Sequence, residues 1–219
     1  MKIAVVDYGM GNIRSVSKAL ERVAPQDEVA VTNDPDRIRA SDRVVVPGQG
    51  AMPDCMRQLA ASGAREAVIE ATRSKPFLGI CIGMQMLFER GEEGDAPGLG
   101  LLAGGVPHFP AARMAGLKVP HIGWNQVRQA RPHALWAGIP SGERFYFVHS
   151  YYPAPAEPGL VAATCEYGVA FTCAISRDNI FAVQFHPEKS HTAGLRLLAN
   201  FMAWQPARAG AGTPASAAA

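Results

Sequence analysis

Residues 75–91, "KPFLGICIGMQMLFERG", contain the pattern that decides the fold. An apolar run that begins at Phe77 is typical of a buried strand, and the "MQMLFERG" that follows is typical of a helix. Cys81 lies near the junction, with one glycine two positions before it and another two positions after it. We therefore predict a strand over 77–83, a helix over 84–91 and a sharp turn that presents the cysteine.

The G-x-C-x-G pattern of residues 79–83 is the thiol form of the turn that presents a nucleophile in α/β enzymes. Such a turn strains the backbone of the nucleophile, and small residues two positions away on each side avoid a steric clash. The thiol then lies at a helix N-terminus, which favours the thiolate, and the Ile82 amide can point at an oxyanion. For so short a motif, a buried structural cysteine remains an equal alternative.

The first half of the chain alternates strand and helix patterns. Apolar residues recur at helical spacing in "NIRSVSKALERVA", and "MPDCMRQLAASGAREAVIEATRS" fits one helix or two. The run Val44–Val45–Val46 is apolar on both faces, as expected for a parallel strand covered by helices on each side. We predict an α/β fold with a doubly wound, open, mostly parallel sheet that is flanked by helices.

The second half has a different character, rich in Gly, Pro and aromatic residues from about residue 98. Short alternating segments between turn residues predict a mixed or antiparallel β extension of the sheet. A last helix is predicted in "SHTAGLRLLANFMAWQ", and "PARAGAGTPASAAA" after it lacks bulky apolar residues. We predict one domain over 1–204 and a disordered tail over 205–219.

Composition excludes several classes of function. The net charge is +2 at pH 7 without a long Lys/Arg run, which argues against nucleic acid or an anionic membrane as partner. No apolar stretch is long enough to span a bilayer. The four cysteines have neither disulfide-framework nor zinc-site spacing. We expect a cytoplasmic protein with reduced thiols and no metal.

Among six histidines, His186 stands out because it ends the apolar run "NIFAVQF" and begins "HPE". Pro187 disfavours a helical conformation at His186. Side chains two positions apart share a face of an extended segment, so Glu188 can reach back to His186. Cys81, His186 and Glu188 would then be nucleophile, base and orienting acid. The alternative is a polar turn that begins the last helix.

The stretch "VVVPGQGAM", residues 44–52, adds a third element. Its strand is followed by Pro47–Gly50, which leaves backbone amides free at the edge of the sheet where open α/β folds bind ligands. Such amides could complete an oxyanion hole with Ile82. A tight turn that merely needs glycine explains the same residues equally well.

Taken together, "GICIGMQ" and "QFHPEKS" resemble the triad of the class I glutamine amidotransferases. "DYGMGNIRSV", "VPGQGAM", "VPHIGWN" and "YFVHSYY" narrow the resemblance to the glutaminase subunits of imidazole glycerol phosphate synthase, an enzyme of histidine biosynthesis. The resemblance runs from residue 2 to about residue 203. It implies a glutamine amidotransferase domain that hydrolyses glutamine to glutamate and ammonia without a cofactor.

The same resemblance implies roles for individual residues. Cys81 would attack the glutamine side chain, His186 would transfer protons and Glu188 would orient the imidazole. The oxyanion hole would lie at Gly50 and Ile82, and the residues that hold glutamine would be Gln85, Glu93, Ser150 and Tyr151.

A partner is also implied. Glutaminases of this kind pass ammonia to a cyclase subunit that is a (β/α)8 barrel, in a heterodimer that makes imidazole glycerol phosphate and aminoimidazole carboxamide ribotide. The candidate interface residues are His121, Trp124, Asn125 and Lys189.

Two other functions remain open at the level of the sequence. The chain could be the glutaminase of another amidotransferase, such as pyridoxal phosphate synthase, although that enzyme should lack "PHIGWN". It could also be a non-catalytic α/β protein with a reactive cysteine, although the complete set of Cys81, His186 and Glu188 argues against this.

Overall fold

The structure is a computed structural model that describes residues 1–114 and 116–206 of the chain. Most of the predicted tail, residues 207–219, lies outside the described residues. The boundary of the predicted domain at residue 204 therefore stays a prediction. Within the described ranges, no helix is both long and apolar enough to cross a membrane.

The first half of the chain alternates strands and helices, as predicted. In chain order its elements are β1 (Lys2–Val6), α1 (Ile13–Val23), β2 (Glu28–Thr32), α2 (Pro35–Ala40), β3 (Arg43–Val46), α3 (Met52–Ala61), α4 (Arg65–Ser74), β4 (Phe77–Ile80) and α5 (Ile82–Gln85). The long helical pattern of residues 52–74 thus forms two helices.

The second half consists mainly of strands and ends in a helix. Its elements are β5 (Phe88–Gly91), β6 (Ala96–Pro97), β7 (Leu102–Val106), β8 (His121–Gln129), β9 (Glu143–His149), β10 (Ala154–Pro155), β11 (Val161–Tyr167), β12 (Val169–Arg177), β13 (Ile180–Val183) and α6 (His191–Ala203).

A nine-stranded sheet in the order β2-β1-β3-β4-β13-β12-β11-β8-β9 organises the molecule. The strands from β2 to β13 in this order are parallel, and those from β13 to β9 pair antiparallel. This confirms the α/β fold with an antiparallel extension. A smaller sheet, β10-β7-β5-β6, packs beside it. Helix α1 contacts α6, and α2 contacts α4.

The central position of β4 decides where the candidate nucleophile lies. Strands β3, β4 and β13 are adjacent, parallel and buried along their whole length. Because parallel strands end at the same edge of a sheet, the segments that follow these three strands meet there. Those segments begin at Pro47, Cys81 and Gln184.

The predicted helix over 84–91 is wrong, and the predicted strand over 77–83 is too long. Strand β4 ends at Ile80, α5 ends at Gln85, and residues 88–91 form β5. The backbone carbonyls of residues 86–89 accept hydrogen bonds from amides of residues 98–102 rather than from a continuing helix. Tertiary pairing therefore overrides the local helical preference of this stretch.

The turn at Cys81 has the strained geometry that the glycine spacing predicts. Cys81 has φ 54° and ψ −109°, a region that residues other than glycine seldom occupy. A Cβ atom at Gly83 would lie 1.9 Å from the Val46 carbonyl oxygen, and one at Gly79 would lie 2.6 Å from the Gly83 oxygen. Both glycines are therefore required by close backbone approach.

Replacing Gly83 by alanine tests this requirement. The added methyl group would collide with the backbone of a fully buried strand, so we expect Gly83→Ala to lower the free energy of unfolding by about 3 kcal/mol. Gly159→Ala is the control, because a Cβ atom there meets nothing within 4 Å, and its effect should stay within about 0.5 kcal/mol. Denaturant unfolding measures both, and equal stability of the two variants would contradict the proposed constraint.

Candidate active site

The sulfur of Cys81 lies at the carboxyl edge of the sheet, between the ends of β3 and β13. The Cys81 amide donates to the Val183 carbonyl at 2.8 Å, which ties the turn to β13. The Gln184 side-chain amide donates to Cys81 Sγ at 3.5 Å. Cys81 is 3% exposed, so the thiol reacts only with a molecule that enters the site.

His186 and Glu188 form a buried pair on the same edge. The distance between His186 Nδ1 and Glu188 Oε1 is 2.8 Å, and both side chains are shielded from solvent. Asn12, just before α1, donates from Nδ2 to the same carboxylate oxygen at 2.9 Å. The carboxylate therefore fixes the plane of the imidazole ring and leaves Nε2 on the opposite side of that ring.

The electrostatics of this pair favour a charged imidazole. Burial lowers the pKa of His186, but the Cys81 thiolate and the Glu188 carboxylate outweigh it and raise the pKa to about 10. Burial raises the pKa of Cys55 to about 11 and that of Cys165 to about 12. An imidazolium at His186 suits the stabilisation of a thiolate nucleophile and the later donation of a proton.

A cavity of about 290 Å³ opens beside the sulfur. Its volume suits a small polar molecule rather than a nucleotide or a peptide. It brings together all the residues predicted to hold glutamine and both predicted oxyanion residues. The lining residues are Gln49, Gly50, Cys81, Ile82, Gln85, Glu93, Pro120, Val148, His149, Ser150 and Tyr151.

Two polar side chains in the cavity are held by the protein itself. Gln85 is buried and donates from Nε2 to the Tyr151 carbonyl at 3.2 Å and to Gln184 Oε1 at 3.0 Å. Glu93 Oε2 accepts from the Met52 amide at 2.7 Å, at the start of α3. A helix N-terminus stabilises a carboxylate, so Glu93 presents a fixed negative charge to the cavity.

The predicted interface residues fall into two groups. Trp124 is 41% exposed and stacks on His191 at 5.0 Å, and the Lys189 ammonium lies 5.8 Å from the Tyr146 ring centre. Ile122 is 60% exposed and lies on the same face of β8 as Trp124. We call the surface formed by these five residues the docking patch.

His121 and Asn125 point the other way. His121 is 2% exposed, so the prediction that its side chain contributes to the interface is wrong. Odd-numbered residues of β8 point toward the protein interior while even-numbered ones face solvent, since side chains alternate along a strand. Asn125 is half-buried and donates from Nδ2 to the Glu166 carbonyl of the neighbouring strand β11 at 2.9 Å.

Two residues that contact the reactive groups, Gln184 and Asn12, were not predicted from the sequence. Gln184 precedes His186 by two positions, so strand alternation could have placed it on the same face as His186 and Glu188. Asn12 carries no such signal, because it is 176 residues from Glu188 and only the fold brings them together. In the described part of the chain, no cluster of three or more His, Cys, Asp or Glu residues could hold a metal ion.

Comparison with known proteins agrees with this architecture. Residues 4–204 match the family Glutamine amidotransferase class-I. The chain superposes on PurLQS from Thermotoga maritima with a TM-score of 0.70 at 19% identity, covering 92% of this chain and 97% of that one. The glutaminase domain of CTPS from Trypanosoma brucei gives 0.65 at 18% identity, covering 93% and 92%. At such identities these likenesses show the fold alone.

Two curated relatives are much more similar in sequence. The imidazole glycerol phosphate synthase subunit HisH of Aromatoleum aromaticum is 63% identical over 209 residues, which are 93% of this chain and 99% of the relative. The subunit of the same name from Dechloromonas aromatica is 64% identical over 93% of this chain and 97% of its own. The chain therefore belongs to the class I glutamine amidotransferases and, within them, to the HisH subunits of imidazole glycerol phosphate synthase.

Proposed function

We propose that the chain is the glutaminase subunit of an imidazole glycerol phosphate synthase, with Cys81, His186 and Glu188 as its catalytic triad. The observation that carries this proposal is the strained Cys81 turn beside a buried His186–Glu188 pair, at the mouth of a cavity sized for one amino acid. The names of the curated relatives favour this glutaminase over that of pyridoxal phosphate synthase. The complete triad argues against a non-catalytic protein.

In the first half of the reaction, the Cys81 thiolate attacks the carboxamide carbon of glutamine. The C=O bond becomes an oxyanion, which backbone amides at Gly50 and Ile82 would stabilise. When this tetrahedral species collapses, the C–N bond breaks and the His186 imidazolium gives its proton to the leaving nitrogen. The products are ammonia and a γ-glutamyl thioester on Cys81.

In the second half, water cleaves the thioester. His186 is now neutral and takes a proton from the water as the oxygen attacks the thioester carbon. The C–S bond then breaks, glutamate leaves, and the thiolate–imidazolium pair is restored. Glu188 stabilises the imidazolium and holds its Nδ1–H in one orientation throughout, as the acid of a triad does.

The cavity offers contacts for both ends of glutamine. The fixed carboxylate of Glu93 suits the α-ammonium group, and the segment Ser150–Tyr151 supplies backbone groups near the amino-acid end. Gln85 lies one helical turn after Cys81 and offers a side-chain amide. We assign these four residues to glutamine binding.

The docking patch would seat a cyclase subunit that is a (β/α)8 barrel, to form a heterodimer. An exposed tryptophan at the centre of a patch is a common anchor of protein–protein interfaces. Ammonia reacts as neutral NH3, and bulk water would protonate and dilute it, so a sealed passage to the cyclase makes chemical sense. We also place the assembly in the cytoplasm, which agrees with four unpaired cysteines.

Removal of the thiol separates the two activities of the complex. We expect Cys81→Ala to lower glutamine-dependent synthesis of imidazole glycerol phosphate by about 10³-fold or more, while synthesis from added ammonium salt is unchanged. Cys165→Ala is the matched control, because this cysteine is buried in β11 away from the cavity. Glutamine use by the Cys81→Ala complex would rule out this cysteine as the nucleophile.

The charge of Glu188 should set the alkaline limit of activity. This carboxylate raises the pKa of His186, so Glu188→Gln should lower that pKa, and the proton needed by the departing ammonia is then lost at a lower pH. We expect the alkaline limb of the kcat/KM profile to move to lower pH, with a fall of about 10- to 100-fold at the optimum. Glu157→Gln, an exposed carboxylate outside the cavity, should leave the profile unchanged. An unshifted limb in Glu188→Gln would contradict the triad assignment.

Trp124 tests the docking patch. Loss of a partly exposed tryptophan anchor typically weakens binding by about 2 kcal/mol or more, so Trp124→Ala should raise the Kd for the cyclase by about 30-fold. Val31→Ala is the control, since Val31 is 41% exposed but lies on β2, at the opposite end of the sheet from β9 and β8. Titration calorimetry measures both, and an equal Kd for the two variants would place the interface elsewhere.

A further inference from the structure

A continuous chain of hydrogen bonds crosses the interior between β8 and the glutamine cavity. Asn125 Nδ2 contacts His121 Nε2 at 3.3 Å, and His121 Nδ1 contacts His149 Nε2 at 3.0 Å. His149 Nδ1 contacts the Tyr151 carbonyl at 2.8 Å. Neither histidine has a role in the chemistry described above.

The positions of the protons in this chain follow from its two ends. The Tyr151 carbonyl only accepts, so His149 must carry its proton on Nδ1 and accept at Nε2. His121 must then donate from Nδ1 and accept at Nε2. At the far end, Asn125 Nδ2 also donates to the Glu166 carbonyl, which identifies it independently as the donor. Both ends therefore require the same pair of tautomers.

This arrangement holds only while both imidazoles are neutral. A second proton on His149 would place its Nε2–H opposite the His121 Nδ1–H. A second proton on His121 would place its Nε2–H opposite the Asn125 side-chain amide. The surroundings support neutrality, because the His121 ring is stacked between Phe147 and Tyr167. Burial lowers the pKa of His121 to about 4, and that of His149 to about 3.

A second set of hydrogen bonds leads from the same carbonyl to the nucleophile. Gln85 Nε2 donates to the Tyr151 carbonyl and to Gln184 Oε1. The Tyr151 carbonyl only accepts, so the Gln85 atom that contacts it must be the nitrogen. The Gln184 atom that contacts this nitrogen must then be the oxygen. The Gln184 nitrogen is thereby turned toward Cys81 Sγ. One backbone carbonyl thus fixes the orientation of two buried amides.

We propose that the neutral His121–His149 pair is a positioning element of the glutamine site, which holds the Tyr151 carbonyl so that Gln85 and Gln184 are oriented toward the substrate and the Cys81 sulfur. The inference deepens the proposed function and rests on it. His121 and His149 are positioning residues, since their hydrogen bonds run to each other, to Asn125 and to the Tyr151 carbonyl rather than to the reacting atoms, although the His149 ring also lines the cavity.

Two substitutions at His149 separate this role from simple packing. Phenylalanine fits the aromatic surroundings of the ring but cannot donate to the Tyr151 carbonyl. Asparagine keeps a donor close to the position of Nδ1. We expect His149→Phe to raise the KM for glutamine about tenfold, the scale of one lost buried hydrogen bond, and also to lower kcat. His149→Asn should restore KM to within about threefold of the wild-type value.

The measurement uses the complete complex with the cyclase and its nucleotide substrate. A purely structural defect would reduce the fraction of active enzyme, and so lower the apparent kcat without moving KM. The matched control is His133→Phe, because His133 packs on Phe181 and Trp204 rather than in the cavity. Its KM for glutamine should equal the wild-type value. An unchanged KM in His149→Phe would overturn the positioning role.

Nitrogen NMR of the wild-type chain tests the geometry without any substitution. Both rings should give the shifts of a neutral imidazole protonated at Nδ1 at pH 7. An Nε2–H tautomer or a charged ring at either position would overturn the inference. If the wild-type complex released no glutamate from glutamine, the proposed function would fail instead, and the NMR result would still decide the state of the pair.

Discussion

The close packing of Gly83 against the Val46 carbonyl is the constraint on which the site depends. It allows the chain to leave β4 and enter α5 without a connecting loop, and it forces Cys81 into its strained conformation. That conformation is stable because β3 and β13 hold the turn from both sides, with the Cys81 amide bonded to Val183. The strained residue directly follows a buried strand of the parallel part of the sheet, so the sulfur has a fixed position before substrate arrives.

The same parallel arrangement explains why charge can be buried here. Strand β13 ends beside β4, so His186 and Glu188 come to the sulfur on a segment that is already in register. A buried ion is costly unless another charge and hydrogen bonds compensate it. The Glu188 carboxylate lies 2.8 Å from His186 Nδ1, and Asn12 donates a further hydrogen bond to the same carboxylate. The carboxylate thus compensates the charge of the imidazolium that it orients.

How much could be predicted from the sequence depends on how far apart in the sequence the interacting residues lie. The His186–Glu188 pair is a contact two residues apart, so its spacing revealed it. The Cys81 turn was visible in the two glycines beside the cysteine, although the Val46 carbonyl that Gly83 packs against lies on a distant strand. The alternation of strands and helices was visible for the same reason. The helix over 84–91 was predicted wrongly because residues 98–102 compete for its backbone carbonyls. The burial of His121 was missed because its motif suggested an interface and gave no sign of which face of β8 each residue occupies.

Strand β8 contributes side chains to two surfaces, because successive side chains point to opposite faces of the strand. Ile122 and Trp124 face solvent in the docking patch, while on the other face Asn125 contacts His121, and His121 contacts His149 at the cavity. A rigid strand cannot shift on one face without moving the side chains on the other. A partner seated on Trp124 would therefore act on the same backbone that positions His121. If the docking patch seats the partner as proposed, strand β8 joins that surface to the glutamine cavity through the His121–His149 pair.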